Sequence, residues 1–420
     1  MARTKGPARK IWPPRRRHRV LVASLLVQNP TAVVGRKETT AEPVASAPTT
    51  RARSRRIAAA TDALSKDILV YEIFVRLPAK DILRCRAVCR SWRNLTSAPD
   101  FLLAHHRGQP SFPLLTLNGA DITKDGSPIC NHSRPLLGLD DYEGFKLLAS
   151  CDGLLLFSLS NGRFSICNPT TRQCAPLPCL TAAGRINIVA LYLHSPSGEY
   201  RVLYWKGRQQ DHHLKAAYYI LKVRQGQLSR CIGVPSSTAG IDKIMLDWHE
   251  TTTNFAPPVV FRNCLHWNAG CDAGILVFDN IIESFRLMRS PAAATRICNH
   301  LCAMEGSIAF SCHDGSRRRI IKIWVLEDYE REVWSFKYHV TPSVESFYYD
   351  DHLVLSQKGN VLVYKAFTGR MFHCDSTGKL LEEFQCDSPG LSSIGHWFKE
   401  SLVKHDISLR RGCARVFQRV

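Results

Sequence analysis

The sequence predicts an α+β multidomain chain, with a short three-helix unit followed by an all-β, β-propeller-like domain of roughly six blades. Three observations predict it. Apolar residues between 63 and 107 recur at helical spacing, the period switches from 3.6 to 2 near Ser111, and turn-then-strand anchors recur at intervals in the forties.

Residues 1–62 come first and carry no sustained period. Fourteen Lys and Arg stand against two Glu in residues 1–60, so most of the net charge of +20 belongs to this stretch. Rich in Arg, Ala, Pro, Thr and Ser, it cannot bury enough apolar surface to offset its ordering entropy and reads as a disordered basic tail. Arg15, Arg16, Arg17, His18 and Arg19 suit a nuclear import signal. The apolar run Val20–Val27 behind the arginines imitates an organelle-targeting leader, but its eight residues are far short of the ~20 a membrane span needs. The expected location is the nucleus, the cytoplasm or both.

Residues 63–107 change character. Ile68, Leu69, Ile73, Phe74 and Leu77 fall at helical spacing. Leu77-Pro78 ends that helix, because a residue before proline is pushed out of the helical region. A second helix fits Lys80–Arg86, and a third fits Val88–Ser97, stopped by Pro99. So small a core needs a partner or a neighbouring domain to be stable.

From 110 to 400 the chain reads as strands. Leu154–Phe157, Val202–Trp205, Tyr218–Val223, Ile275–Phe278, Ile320–Val325 and Asn360–Tyr364 are strand-like runs, separated by turn signals such as Asp152-Gly153 and Ser197-Gly198. Asp152-Gly153-Leu154, Asn263-Cys264-Leu265, Glu305-Gly306-Ser307-Ile308 and Asp351-His352-Leu353 repeat one theme, a polar turn residue before an apolar strand. The last three anchors stand 42 and 46 residues apart, the length of a four-stranded blade, and the longer gap before them would hold two or three more units. Residues 401–420 are left as a separate C-terminal segment.

Composition and motifs then exclude function classes. The β domain is only mildly basic, so no nucleic-acid partner is expected. Sixteen scattered cysteines without Cys-x-x-Cys pairs read as reduced core thiols. Cys298, His300, Cys302, Cys312 and His313 are ligand-type residues, but their spacings do not match zinc knuckles. His105-His106 and His212-His213 read as solvated loop residues. With no nucleophile elbow, phosphate loop or His-Glu-x-x-His, no catalytic residue, metal or cofactor is expected.

The 63–107 segment resembles the F-box motif through Leu64, Asp67, Ile68, Arg76-Leu77-Pro78, Leu83, Arg84, Arg86, Val88-Cys89, Trp92-Arg93, Pro99, Phe101 and His105. The remainder is similar to the F-box-associated domain of plant F-box proteins. That likeness rests on Leu148–Leu154, Cys167-Asn168-Pro169-Thr170-Thr171-Arg172, Leu265-His266-Trp267, Ile275–Asp279 and Ile323–Tyr329. The resemblance implies a substrate receptor of an SCF ubiquitin ligase, non-catalytic itself. It implies docking of Leu64, Ile68, Leu77, Pro78, Leu83, Val88, Cys89 and Trp92 onto a SKP-family adaptor, and through it onto cullin and RING subunits. Trp92 is the foremost anchor by residue type, while Leu69 and Ile73 suit either core or interface. The target protein is unknown, and candidate recognition loops fall near 206–216, 249–258, 286–300 and 313–319. Ser65 replaces the usual proline, and the first helix is one residue longer than in the commonest form. A chain whose F-box had degenerated at these points would be a cullin-independent interaction module.

Overall fold

The computed structural model describes residues 17–23, 68–119, 133–140, 146–158, 163–178, 180, 185–207, 217–223, 229–233, 257–269, 274–291, 299–304, 306–313, 320–340, 352–357, 360–365, 370–375, 379–385, 391–405 and 410–411. Leu64, Ser65, His212, His213, Cys298 and most of the candidate recognition loops lie outside them.

The helical unit has four pieces rather than three. A loosely wound segment, Ile68–Ile73, tightens into a 3₁₀ turn, Phe74–Arg76. Leu77 is extended, with ψ 145°, as its following proline requires. Helix α1 spans Ala79–Val88, α2 spans Arg90–Leu95 and α3 spans Pro99–Gly108. The break expected before Val88 falls at Cys89, whose φ of −153° is extended and whose Sγ accepts the Trp92 N–H at 3.4 Å as an N-cap. Pro99 was expected only to stop a helix; it also starts one. At the first helical position its missing N–H is no loss, and its fixed φ suits the turn.

The strands are β1 (Arg17–Ala23), β2 (Ser111–Gly119), β3 (Ser133–Asp140), β4 (Lys146–Cys151), β5 (Leu154–Ser158), β6 (Phe164–Asn168), β7 (Gln173–Pro176), β8 (Arg185–His194) and β9 (Glu199–Gly207). Next come β10 (Ala217–Lys222), β11 (Arg230–Gly233), β12 (Val259–Phe261), β13 (Cys264–Asn268), β14 (Ile275–Asp279), β15 (Ser284–Met288), β16 (His300–Met304) and β17 (Ser307–His313). The last are β18 (Ile321–Asp328), β19 (Val333–Val340), β20 (His352–Gln357), β21 (Asn360–Lys365), β22 (Arg370–Cys374), β23 (Leu380–Gln385), β24 (Leu391–Lys399) and β25 (Arg410–Arg411).

They form six antiparallel sheets. The blades are β24-β2-β1-β3, β4-β5-β6-β7 with β25 added outside β7, β8 to β11, β12 to β15, β16 to β19, and β20 to β23. The first strands neighbour one another: β24 meets β4, β4 meets β8, β12 meets β16, β16 meets β20, and β20 meets β24. Blades three and four join through a shared core that includes Tyr192, Tyr218, Trp267 and Phe278. The closing blade joins distant parts of the chain, since β24 pairs with β2 from Ser111–Lys399 to Leu117–Leu391, with a register shift between Pro113 and Leu115.

This architecture corrects two boundaries and two readings of the repeat. Arg17–Ala23, assigned to a disordered tail, is the third strand of the closing blade, paired with both β2 and β3. The Arg-rich window masked a short β-branched run whose partners lie about a hundred residues away. The C-terminal segment is not separate, because Arg410 and Arg411 pair with Cys174 and Gln173. Only one blade stands between the anchors at Asp152 and Asn263 among the described residues, not two or three. The fourth anchor is out of phase, since His352 opens the first strand of its blade.

Two turn types repeat. First-to-second-strand turns use left-handed residues, Asp152 with Gly153 (φ 49° and 81°) and Arg262 with Asn263 (48° and 60°), which match the twist of the flanking strands. In three blades the third-to-fourth-strand turn begins with an Asx residue. The Oδ1 of Asn168, Asp279 and Asp328 each accepts two backbone N–H groups, from residues two and three positions on. Four positions after each stands a left-handed residue, Arg172, Glu283 or Glu332.

Candidate functional site

The helical unit is small, and its core is correspondingly thin. Leu69, Val70, Phe74, Ala79, Ile82, Phe101 and Leu102 are buried together, with Trp92 and Leu77 at the margin. Six large apolar side chains of the unit stay exposed among the described residues: Ile68, Tyr71, Ile73, Leu83, Val88 and Leu103. So many exposed apolar groups in so short a segment make it the candidate interaction surface.

The sequence-predicted contact residues divide accordingly. Ile68, Pro78, Leu83 and Val88 are exposed, while Leu77, Cys89 and Trp92 are half-buried. Leu64 is outside the described residues. Leu69 and Ile73, which suited either role, separate into core and surface. Trp92 meets Phe74 edge-on, with ring centroids 5.0 Å apart at 72°, so much of its ring serves the unit's own core.

A polar lock holds the Leu77-Pro78 corner. His105 Nε2 donates to the Leu77 carbonyl at 2.8 Å, and Gln109 Nε2 donates to the same oxygen at 3.1 Å and to Val75 O at 3.2 Å. These donors satisfy carbonyls that the broken helix leaves orphaned. His105 is fully buried, and burial lowers its pKa. It is therefore not the solvated loop residue expected from sequence: the helix begun at Pro99 turns it inward. Sequence reasoning missed Gln109; a polar residue just past a helix end was its only signal. Arg86 Nη2 donates to Thr96 O at 2.6 Å and ties α1 to the end of α2.

The unit sits on one face of the β domain. His106 Nε2 lies 3.6 Å from Asp152 Oδ1, in a first-to-second-strand turn, and Lys399 Nζ donates to Arg107 O at 2.8 Å. All first-to-second and third-to-fourth turns of an up-and-down blade share a face. The second-to-third and inter-blade connections leave from the other. By strand order the four candidate recognition segments fall between second and third strands or between blades, so the described strand ends that flank them belong to the face away from the helical unit.

A cavity of about 730 Å³ follows the domain axis, from Asp152 and Lys399 at the helical end to Asn268 and His300 at the other. Burial pushes His266 and His396 in its wall down to about 4, so both are neutral at physiological pH. His266 Nδ1 faces Val259 O at 3.1 Å and Nε2 faces the Tyr329 hydroxyl at 2.9 Å. Cys302 and Cys312 belong to different cores, one with Met304 and Ile321 and the other with Ile275 and Phe310. Two of the residues weighed as zinc ligands thus pack apart.

Comparison with known proteins agrees with this division. Residues 67–106 match the family model described as F-box-like, and residues 134–374, more than half the chain, match that of the F-box associated beta propeller domain. F-box protein CPR1 of Arabidopsis thaliana is 26% identical over 322 residues, covering 69% of this chain and 76% of the relative. A putative F-box protein of the same plant is 26% identical over 344 residues, covering 71% and 80%.

Proposed function

The chain belongs to the F-box-associated β-propeller family, and from that premise we propose that it is the target-recognition subunit of an SCF ubiquitin ligase. Its F-box docks a SKP-type adaptor that connects to cullin and RING subunits, and the far face of its propeller holds the target. The observation that carries this reading is the exposed apolar surface of Ile68, Pro78, Leu83 and Val88 on a unit fixed to one face of the propeller, with the loop-bearing face opposite.

The reading asks no bond-making chemistry of this chain. Tethering a target near a charged conjugating enzyme raises its effective concentration, and the covalent step belongs to that enzyme. Separating the two contact surfaces lets both partners bind without competing. We place this activity in the nucleus or cytoplasm on the strength of the sequence features alone.

The test is affinity capture from plant cells under proteasome inhibition, with full-length protein and with a chain lacking residues 63–107. The reading expects the adaptor and cullin only with the full-length bait, and the same target with both. Recovery of a target by both baits without adaptor by either would contradict it.

A further inference from the structure

The F-box core contains a residue from the far end of the chain. Leu402, 4% exposed, packs with Leu69, Phe74, Ile82 and Phe101, about three hundred residues away in sequence, and Val403 lies at the same margin. Leu402 stands three residues past the end of β24, the strand that closes the propeller.

Its neighbours make polar contacts to both domains. The Ala79 N–H at the start of α1 donates to Glu400 Oε2 at 2.9 Å. Pro78 supplies no side-chain cap there, so Glu400 acts as the missing N-cap and sets a carboxylate against the positive end of the helix. His106 Nδ1 faces the Glu400 carbonyl at 3.0 Å. On the propeller side, Ser401 O accepts from Asn168 Nδ2 at 3.0 Å and Ser401 N donates to Thr170 Oγ1 at 3.3 Å. Gly153 makes the passage possible: a Cβ there would stand 2.6 Å from Lys399 O and from Ser401 Cβ. The segment ends with the His405 ring edge-on to Tyr200, 5.0 Å between centroids.

We infer that residues 399–403 are a strap that completes the F-box, so the adaptor-docking unit reaches its working form only when the last propeller strand is in place. The strap also fixes the angle between the docking surface and the target face. The F-box is translated about three hundred residues before Leu402 and stays incomplete until that residue arrives, so a receptor truncated before it cannot occupy the adaptor unproductively. The adaptor half of this inference rests on the proposed ligase function; the structural half does not.

The test is hydrogen exchange by mass spectrometry on the full-length chain, as wild type, Leu402→Ala and Glu400→Ala, with adaptor capture measured in parallel. Glu400→Ala opens no core cavity, so it remains informative if Leu402→Ala fails to fold. Exchange across residues 68–108 should quicken at least about tenfold in Leu402→Ala and several-fold in the first turn of α1 in Glu400→Ala, with blades four and five unchanged. Adaptor capture should weaken in step. Unchanged F-box exchange in both variants would overturn the strap. Quickened exchange in variants of a chain whose wild type captures no adaptor would keep the strap and remove the ligase reading.

Discussion

Trp92 shows what a single side chain can hide. Its spacing on a helix face is the same whether it faces its own core or a partner, and the edge-on contact with Phe74 decides for the core over much of the ring. Trp92→Ala should therefore lower F-box stability by about 1–3 kcal/mol, read as a lowered F-box melting transition without any adaptor present. An unchanged transition would return Trp92 to the interface. His105 was equally illegible, because only the helix after Pro99 turns it inward. Glu283 is a third case. Buried between blades three and four, it accepts from Tyr192 Oη at 2.7 Å and pairs with Arg201 and Arg230. Burial alone would raise its carboxyl pKa, but the arginines and the tyrosine hold it below the usual range. Glu283→Ala leaves Arg201, which is 7% exposed, with only Glu199 and Ser197 at 3.5 and 3.3 Å, and should cost about 1–3 kcal/mol in urea unfolding; a loss under 1 kcal/mol would show that the pair is not desolvated. The buried histidines predict a pH dependence. His266, His396 and His405 are pushed by burial down to about 4, against ~6.5 when unfolded. The unfolded chain binds protons that the folded one refuses, so stability that is complete above ~6.5 is lost as pH falls toward 4. The urea midpoint should drop between pH 7.5 and pH 5; an unchanged midpoint would refute the burial of these rings.

Most strands were legible because they are apolar runs of period 2 or fully buried ones, and all six of the strand runs named from sequence fall on strands of the fold, two of them overrunning by one residue, at Val223 and Ile320. Blade phase was harder. The polar-turn anchor marks first-to-second turns at Asp152, Asn263 and Gly306 but misplaces the last blade, because a short polar-apolar step also occurs where a strand begins. The better repeat is the Asx turn at Asn168, Asp279 and Asp328, with its left-handed residue four positions on. Those positions lie within or beside the phrases that carried the family resemblance, so part of that likeness is turn chemistry. Asp328→Ala removes the acceptor for Glu330 and Arg331 N–H and should destabilise the blade by about 1 kcal/mol. Asp328→Asn, which keeps the oxygen, should be near neutral, and equal losses from both would assign the effect to charge instead. Strand β1 was illegible because its pairing is decided by β2 and β3, far along the chain, and no local window reports that.

For the molecule as a whole, the two-part plan could be read from sequence, while the relation between the parts could not. Nothing local to residues 63–107 reveals that Leu402 completes their core, or that the F-box stands on the turn face of the propeller with the longer connections opposite. Under the proposed function that relation is the one a receptor needs, because it would hold adaptor and target at a fixed separation. The decisive measurement is a calorimetric titration of a purified SKP-type adaptor into the full-length chain and into Leu83→Asp/Val88→Asp, whose altered side chains are both over 40% exposed. The wild type should bind saturably at one to one, and the double variant should melt at the wild-type temperature while binding at least about thirtyfold more weakly, equivalent to the ~2 kcal/mol of an interface hot spot. A wild type that takes up no adaptor, or a variant that binds as tightly as wild type, would contradict the docking account.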